Sequence, residues 1–289
     1  MNRYFVFMIF FVAVSGVRGI EISHEWDAQR YQENSSFQYE LAMSVLSEIF
    51  FAGNELVLDI GCRDGRITEK IAGKLLDGGF VEGIDVSLEM IRYACDNHQR
   101  TNLSFSVKDI SEGTSFDSLL NEFKLLGKYD IALAFLSLSW IKNQSRALKN
   151  IATLLKPGGG RFVAIVSNEN DAELRARYKM FTHEKWCKFF VDYEVPYYPC
   201  NEVALIELLR DAGFSNSTVK IIERPSILVT KEEFIGLMSA IPAQKDRIPQ
   251  ALQQEFFNDI VTEYLKEVPQ KENGLIELIF SEILVIAHI

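Results

Sequence analysis

Short apolar runs recur along the chain from residue 57 to residue 166, and segments with helical character separate them. The runs that read as strands are 57–59, 81–85, 103–109, 129–136 and 160–166. Such continuous apolar runs are typical of parallel strands buried on both faces. Their alternation with helices predicts an α/β fold with a mostly parallel sheet and helices on both faces.

The segments on either side of these runs extend the predicted fold. Residues 24–50 carry apolar residues at helical spacing, which predicts a helical lead-in. Beyond the fifth run, the strand-like segments 219–229 and 275–286 predict an antiparallel pair that closes the sheet. Apolar residues recur at helical spacing between them, which predicts a helical insertion before the last strand. We therefore expect seven strands.

The first strand ends in an acid and runs through glycines into a helix. Asp59 is followed by Gly61 and Gly65, and the next two strands end in Asp85 and Asp109. Glycine allows a sharp turn and a close approach of the backbone to a ligand. An acid about twenty residues beyond such a turn suits a ribose, and the carboxyl ends of parallel strands form the usual ligand crevice. These residues indicate a site for a nucleoside cofactor.

Together with Lys-Pro-Gly-Gly at 156–159, these residues resemble those of the class I S-adenosylmethionine-dependent methyltransferases, over about residues 24–289. The resemblance implies a Rossmann-like fold and S-adenosylmethionine as the cofactor. It implies that Asp59 and Gly61 contact the methionine part, Asp85 the ribose hydroxyls and Asp109 the adenine. The cofactor site implied in full is Tyr31, Asp59, Gly61, Gly65, Asp85, Val86, Asp109 and Ile110.

The chain departs from this family pattern at one position. Arg63 stands where the Gly-x-Gly-x-Gly turn of these enzymes has its middle glycine. Either the arginine points to solvent and leaves the cofactor site intact, or it covers the site and marks a protein without activity. We favour an exposed arginine.

A dinucleotide dehydrogenase would share the first strand and its turn. Its glycines should then face a pyrophosphate at a helix N-terminus. Here the helix opens with Asp64 and continues with Glu69, charges that repel a diphosphate and tolerate a sulfonium zwitterion. The methyltransferase is therefore preferred.

Three residues match an acceptor site. In the trans-aconitate, juvenile hormone acid and malonyl-acyl-carrier-protein carboxyl methyltransferases, a helix before the glycine turn carries a Tyr and, seven residues on, a Gln. Tyr31 and Gln38 match this spacing, and Trp140 matches the tryptophan that follows the fourth strand. The resemblance implies that Gln38 and Trp140 orient the acceptor. An ordinary amphipathic helix and a packed loop tryptophan are the alternatives.

An aromatic segment follows the fifth strand and precedes a predicted helix at 202–212. It contains Trp186, Phe189, Phe190, Tyr193, Tyr197 and Tyr198. The segment is interpreted as a lid over the acceptor, with the packing of an added helix as the alternative.

The choice of acceptor depends on the bases available. An amine or phenol needs a general base, whereas a carboxylate does not, and none of the four histidines sits in a recognisable catalytic constellation. We expect O-methylation of the carboxylate of a small apolar acid. The available donors for this carboxylate are Gln38, the indole N–H of Trp140 and one of the arginines Arg175, Arg177, Arg224 and Arg247. The alternatives are a methyltransferase for an amine or phenol and a catalytically silent binding protein.

Composition and charge limit the classes of molecule that the chain is expected to bind. A formal charge of −10 and a pI near 5.1 argue against nucleic acid and leave a small molecule or a protein as the partner. With the resemblance, a small-molecule carboxylic acid is the expected partner, and the oligomeric state stays open. The sequence contains neither a Cys-x-x-Cys motif nor a His/Cys cluster, so it does not indicate a metal site.

The N-terminus has the layout of a secretory signal. A short apolar run and then small residues follow the first three residues, which predicts a leader at 1–19 that is too short for a stable membrane span. The compartment stays open. One methyltransferase domain is expected over 20–289, with the lead-in at 24–50, the cofactor-binding core at 55–167 and the acceptor lid and C-terminal part at 168–289.

Overall fold

The computed structural model describes residues 28–112, 126–223, 226–239, 245 and 247–289. The predicted leader at 1–19 and residues 24–27 of the predicted lead-in lie outside the described residues. No helix of the described part is long and apolar enough to cross a bilayer.

The strands in chain order are β1 (Leu56–Ile60), β2 (Phe80–Asp85), β3 (Leu103–Val107), β4 (Ile131–Phe135), β5 (Arg161–Ser167), β6 (Asn216–Glu223), β7 (Ile227–Val229), β8 (Ile276–Leu278) and β9 (Ser281–His288). Seven of them form one sheet in the order β3-β2-β1-β4-β5-β9-β6. The pairings from β3 to β5 are parallel, and β9 runs antiparallel to both of its neighbours. This confirms the predicted seven-stranded, mostly parallel sheet.

The helices are α1 (Ala28–Asn34), α2 (Ser36–Glu48), α3 (Arg66–Ala72), α4 (Leu88–Asn97), α5 (Gln144–Leu154), α6 (Ala172–Thr182), α7 (Glu202–Ala212), α8 (Lys231–Ser239) and α9 (Gln250–Tyr264). Polar caps fix several of the starts: Ser87, Asn143, Asp171 and Asn201 each accept a hydrogen bond from a backbone N–H of the first turn. Helices α8 and α9 form the predicted insertion before the last strand.

The closing strands differ from the predicted ones. The segments predicted at 219–229 and 275–286 each divide in two, so that β6 pairs with β9 in the main sheet, and β7 pairs with β8 in a separate two-stranded sheet. A proline at 225 has no N–H to donate to a continuous ladder. Apolar patterning does not show such a division, because strands of both sheets have the same period.

Alternate residues of the strands feed two cores on opposite faces of the sheet. Leu58 and Phe162 pack on the face covered by α5 and α7, whereas Val57 and Val163 pack on the face covered by α2 and α3. A third apolar cluster holds the insertion together, with Phe234, Phe256 and Tyr264 fully buried in it. The insertion thus has a core of its own.

A buried carboxylate ties β2 to its neighbours. Glu82 accepts hydrogen bonds from Lys108 Nζ at 2.5 Å, from Tyr129 Oη at 2.5 Å and from Ser106 Oγ at 3.0 Å. Burial alone would raise the pKa of Glu82, but the hydrogen bonds from Lys108 and Tyr129 outweigh it and lower the pKa to about 2. The carboxylate is therefore ionised wherever the protein is folded near neutral pH.

Replacing Glu82 with glutamine is expected to lower the free energy of unfolding by about 3 kcal/mol, because the remaining partners of a buried ion pair lose their compensating charge. The lowered pKa also means that Glu82 stabilises the fold above pH 4.5, its ordinary pKa, and that this stabilisation is lost as the pH falls toward 2. Urea unfolding of the wild type and Glu82→Gln over this pH range measures the effect. The exposed Glu207→Gln is the control, and equal pH dependence in both variants would contradict the assignment.

Candidate functional site at the carboxyl ends of the strands

The turn after β1 lies against the ends of both neighbouring strands. The N–H groups of Gly61 and Cys62 donate to Ile84 O at 2.8 and 3.0 Å. On the other side, a Cβ at Gly61 would stand 2.3 Å from Ser137 Cβ, and Gly61 has a φ of +72°. Only glycine satisfies both conditions. The turn therefore forms the floor of a crevice between β2 and β4.

Asp59 lies buried beneath this turn. Its Oδ2 accepts a hydrogen bond from Thr68 Oγ1 at 2.6 Å, and the residue is 3% exposed. Burial raises the pKa of Asp59 to about 6, against the lowering effects of Thr68 and the Arg63 charge. A cation brought close to this carboxylate would restore the ionised form.

The acids at the ends of β2 and β3 are oriented by the backbone that follows them. Asp85 Oδ1 accepts from the N–H of Ser87 at 2.9 Å, and Oδ2 accepts from the N–H of Arg63 at 3.0 Å. Burial raises the pKa of Asp85. Asp109 Oδ1 accepts from both the N–H and the Oγ of Ser111 at 2.7 Å. Both carboxylates are held rigidly at the same edge of the sheet.

Apolar side chains accompany these acids. Val86, Leu88 and Val107 are 46%, 50% and 46% exposed, although all three are aliphatic. Val107 pairs with Asp85 in the ladder of β2 and β3. Ile110, in contrast, is 3% exposed and packs in the core. The exposed group supplies an apolar surface of the kind that the flat ring of a base would cover.

Arg63 crosses the crevice instead of pointing to solvent. It has a φ of +53°, its Nη2 donates to Leu136 O at 3.0 Å, and its guanidinium lies 5.6 Å from the ring centroid of Tyr31. The expectation of an exposed arginine is therefore wrong. The physical reason is that the end of β4 offers a carbonyl within reach, at Leu136, which itself has a φ of +58°.

Two acids at the start of α3, Asp64 and Glu69, are paired with basic side chains. Glu69 lies 3.0 Å from His98 Nδ1 and 3.5 Å from Arg100 Nε, on the side of α3 that faces the end of α4. Asp64 pairs with Arg66 at 3.3 Å. The described residues contain no group of three or more His, Cys, Asp or Glu side chains placed to hold a metal.

A methyltransferase-domain family model matches residues 58–161, which span the crevice from β1 to β5. Juvenile hormone acid O-methyltransferase of Drosophila melanogaster is 28% identical over 249 residues, 81% of each chain. The candidate methyltransferase 235L of Invertebrate iridescent virus 6 is 27% identical over 240 residues, 83% of this chain and 85% of that one. A candidate methyltransferase of Bacillus halodurans C-125 has the same fold, with a TM-score of 0.58 at 14% identity over 85% of this chain and 97% of that chain.

The matched segment is a methyltransferase domain, and the chain has the fold of the class I S-adenosylmethionine-dependent methyltransferases. Its crevice fits the cofactor of that class. The carboxylates of the buried Asp59 and the half-buried Asp85, whose pKa values are raised by desolvation, suit a ligand with cationic sulfonium and ammonium groups. The exposed aliphatic residues at the ends of β2 and β3 suit its base.

Trp140, the predicted acceptor-orienting residue, lies in a 3₁₀ turn (Leu138–Trp140) after β4. Its ring packs edge-on against Tyr197 at 4.8 Å between centroids. Tyr197 Oη donates to Ser167 Oγ at the end of β5, and Tyr178 Oη donates to Tyr197 O at 3.2 Å. Ser167 and Tyr178 were not among the predicted site residues, although the position of Ser167 at a strand end was a usable signal.

Gln38 lies on α2, and Tyr31 on α1 faces Arg63. Gln38 Oε1 is buried and has no hydrogen-bond partner among the described residues. An unpaired buried amide oxygen is costly, so this atom is available to a ligand.

The candidate arginines for a substrate carboxylate are already engaged. Arg177, 4% exposed, is paired with Glu173, and Arg175 is paired with Glu267. Arg247 is exposed and stacks 4.9 Å from the ring of Tyr193. Arg224 lies outside the described residues.

The aromatic segment divides between the two expected roles. Trp186 and Phe190 are 1% and 7% exposed and pack in the core of the insertion, where Trp186 Nε1 also donates to Asp259 Oδ2 at 2.9 Å. Tyr197 instead reaches Trp140. The first part of the segment thus packs the added helices, and the later part reaches the turn after β4.

Replacing Asp85 with alanine is expected to weaken the binding of S-adenosylhomocysteine by about 10- to 100-fold, because hydrogen bonds to a charged group contribute about 1.5–3 kcal/mol. Calorimetric titration measures the affinity, and circular dichroism checks the fold. The exposed Asp96→Ala on α4 is the matched control. An affinity unchanged in Asp85→Ala would refute the role of Asp85.

Replacing Asp59 with asparagine is expected to stabilise the ligand-free enzyme at high pH. The pKa of Asp59 rises from 3.8 to about 6 on folding, so the wild type loses stability as the pH rises through this range. The variant avoids this loss, which amounts to about 3 kcal/mol at pH 8 and only about 0.5 kcal/mol at pH 4. Urea unfolding at both pH values measures the difference; a variant that is less stable at both would contradict it.

Proposed function

We propose that this enzyme transfers the methyl group of S-adenosylmethionine to the carboxylate of a small apolar acid and releases a methyl ester. The observation that carries the proposal is the protonation state of the two tyrosines near Trp140, Tyr197 and Tyr178. Burial raises the pKa of Tyr197 to about 12 and also raises that of Tyr178. Both phenols are therefore neutral at physiological pH and do not act as bases.

A carboxylate is the acceptor that such a surface suits. It is already nucleophilic at neutral pH, whereas an amine or phenol must lose a proton to a base. The similarity to juvenile hormone acid O-methyltransferase of Drosophila melanogaster, at 28% identity over 81% of each chain, supports the same reaction class.

On the cofactor side, we assign Asp59 and Gly61 to the methionine part, Asp85 with Val86 to the ribose, and Asp109 with Ile110 to the adenine. Gly65, with a φ of +83°, completes the turn, and Tyr31 adds a wall from α1. The cofactor supplies an activated methyl carbon. These residues hold it in one orientation and exclude water, which is what an in-line displacement requires.

On the acceptor side, we assign Gln38 and Trp140 to orienting the substrate. The amide of Gln38 carries two N–H donors that suit a carboxylate. Its buried Oε1 has no hydrogen-bond partner among the described residues and, as an acceptor, would meet a donor of the ligand rather than the carboxylate. Trp140 and Tyr197 give a flat apolar surface for the rest of the acid.

We further propose that residues 20–289 act as one catalytic domain, with the lead-in at 24–50, the core at 55–167 and the lid and C-terminal part at 168–289. Contacts of the lead-in support this. Arg66 Nη2 on α3 donates to Ser35 O at 2.7 Å, and Arg63 lies over Tyr31.

Matched acceptors test the reaction: medium-chain alkanoic acids, alkylamines and alkylphenols of equal chain length, with product identified by mass spectrometry. The acids are expected to give methyl esters at a rate that is flat between about pH 7 and 9, because no base must be deprotonated. Trp140→Ala is expected to raise KM for the acid while cofactor affinity stays unchanged, with Trp140→Phe as the conservative control. N-methylation or ether formation with a rate that rises with pH would overturn the proposal, as would cofactor binding without turnover of any acid.

A further inference from the structure

Arg63 is a half-buried cation without a carboxylate partner. The guanidinium makes one hydrogen bond, from Nη2 to Leu136 O, and faces the ring of Tyr31. It takes part in no ion pair among the described residues, whereas Arg66, Arg175 and Arg177 each do. A guanidinium has five N–H donors in a planar fork that matches a carboxylate. Most of its binding capacity is therefore unused.

The backbone at this position makes the arginine more unusual. Arg63 has a φ of +53°, between Gly61 and Gly65, which also have positive φ. The left-handed conformation is unfavourable for a residue with a Cβ. The chain bears this cost at the centre of its cofactor turn, and strained residues of this kind cluster where ligands are held.

The charged groups of the cofactor indicate which of them the Arg63 guanidinium could bind. The sulfonium and ammonium groups of the cofactor are cations, which the carboxylates of Asp59 and Asp85 suit. Its single anion is the carboxylate of the methionine part. That carboxylate would be repelled by the two acids unless a cation stood beside them. Arg63 meets this condition, because its backbone N–H donates to Asp85 and its guanidinium charge acts on both Asp59 and Asp85.

We propose that Arg63 binds the carboxylate of the methionine part of the cofactor. The inference rests on the cofactor of this enzyme and adds to it a specificity-determining residue that the glycine pattern of the family does not contain. Arg63 then replaces the backbone flexibility of a glycine with a charge-assisted contact. The interpretation in which the arginine blocks the site becomes an outcome of the test.

Two ligands that differ only in this carboxylate test the proposal. S-adenosylhomocysteine carries it, and S-adenosyl-3-thiopropylamine, its decarboxylated counterpart, keeps the adenosine, thioether and ammonium. Calorimetric titration of the full chain is expected to show that Arg63→Gln loses about 10- to 100-fold in affinity for S-adenosylhomocysteine. Its affinity for the decarboxylated ligand should stay within about twofold, and Arg63→Lys should recover part of the loss.

Arg63→Gly separates charge from backbone strain. It relieves the left-handed strain, so its melting temperature should rise, yet it should lose affinity for S-adenosylhomocysteine as Arg63→Gln does. Arg92→Gln, an exposed arginine on α4, is the matched control. Tighter binding of both ligands by Arg63→Gly would show a blocking side chain, and equal loss of both would show a structural role; either result overturns the proposal. If the folded wild type binds neither ligand, the cofactor assignment fails instead.

Discussion

The fold and the crevice both depend on how closely the turn after β1 approaches the loop after β4. Gly61 leaves no room for a Cβ against Ser137, and Ser137 Oγ donates to Ile60 O at 2.6 Å. On the other side, Ile84 O accepts two N–H groups of the turn. Three parallel strand ends are thereby fixed relative to one another. The acids at these ends acquire their positions from the backbone and not from contacts among themselves.

This arrangement concentrates negative charge where water is scarce. Burial raises the pKa values of Asp59, Asp64 and Asp85, so each ionised carboxylate there is held at a cost. A structure selected for stability alone would place neutral residues in these positions. The cost is offset when a cationic ligand enters, which is the general logic of strained or destabilised active sites. Electrostatics thus links the ligand-free fold to the cofactor it takes.

The strands and crevice acids could be predicted because buried parallel strands leave a continuous apolar signal that ends in a polar residue. The helix at 202–212 was predicted at its observed bounds for a similar local reason. The direction of Arg63 could not be predicted, because the carbonyl that receives it, Leu136 O, lies 73 positions along the chain. That carbonyl is oriented by a left-handed backbone at Leu136, a conformation that leucine does not signal.

The roles of the aromatic residues after β5 could not be predicted either. In a sequence, an aromatic residue that packs a core cannot be distinguished from one that lines a pocket. Trp186 became a core residue because α9 supplies Asp259 for its N–H, whereas Tyr197 reached Trp140 from the end of the same segment. In the proposed function, cofactor and acceptor therefore rest on different parts of the chain. Turns of the sheet would hold the first, and the proposed surface for the second depends on the segment between β5 and α7. Changes in that segment would then alter the proposed acceptor surface without moving the acids at the strand ends.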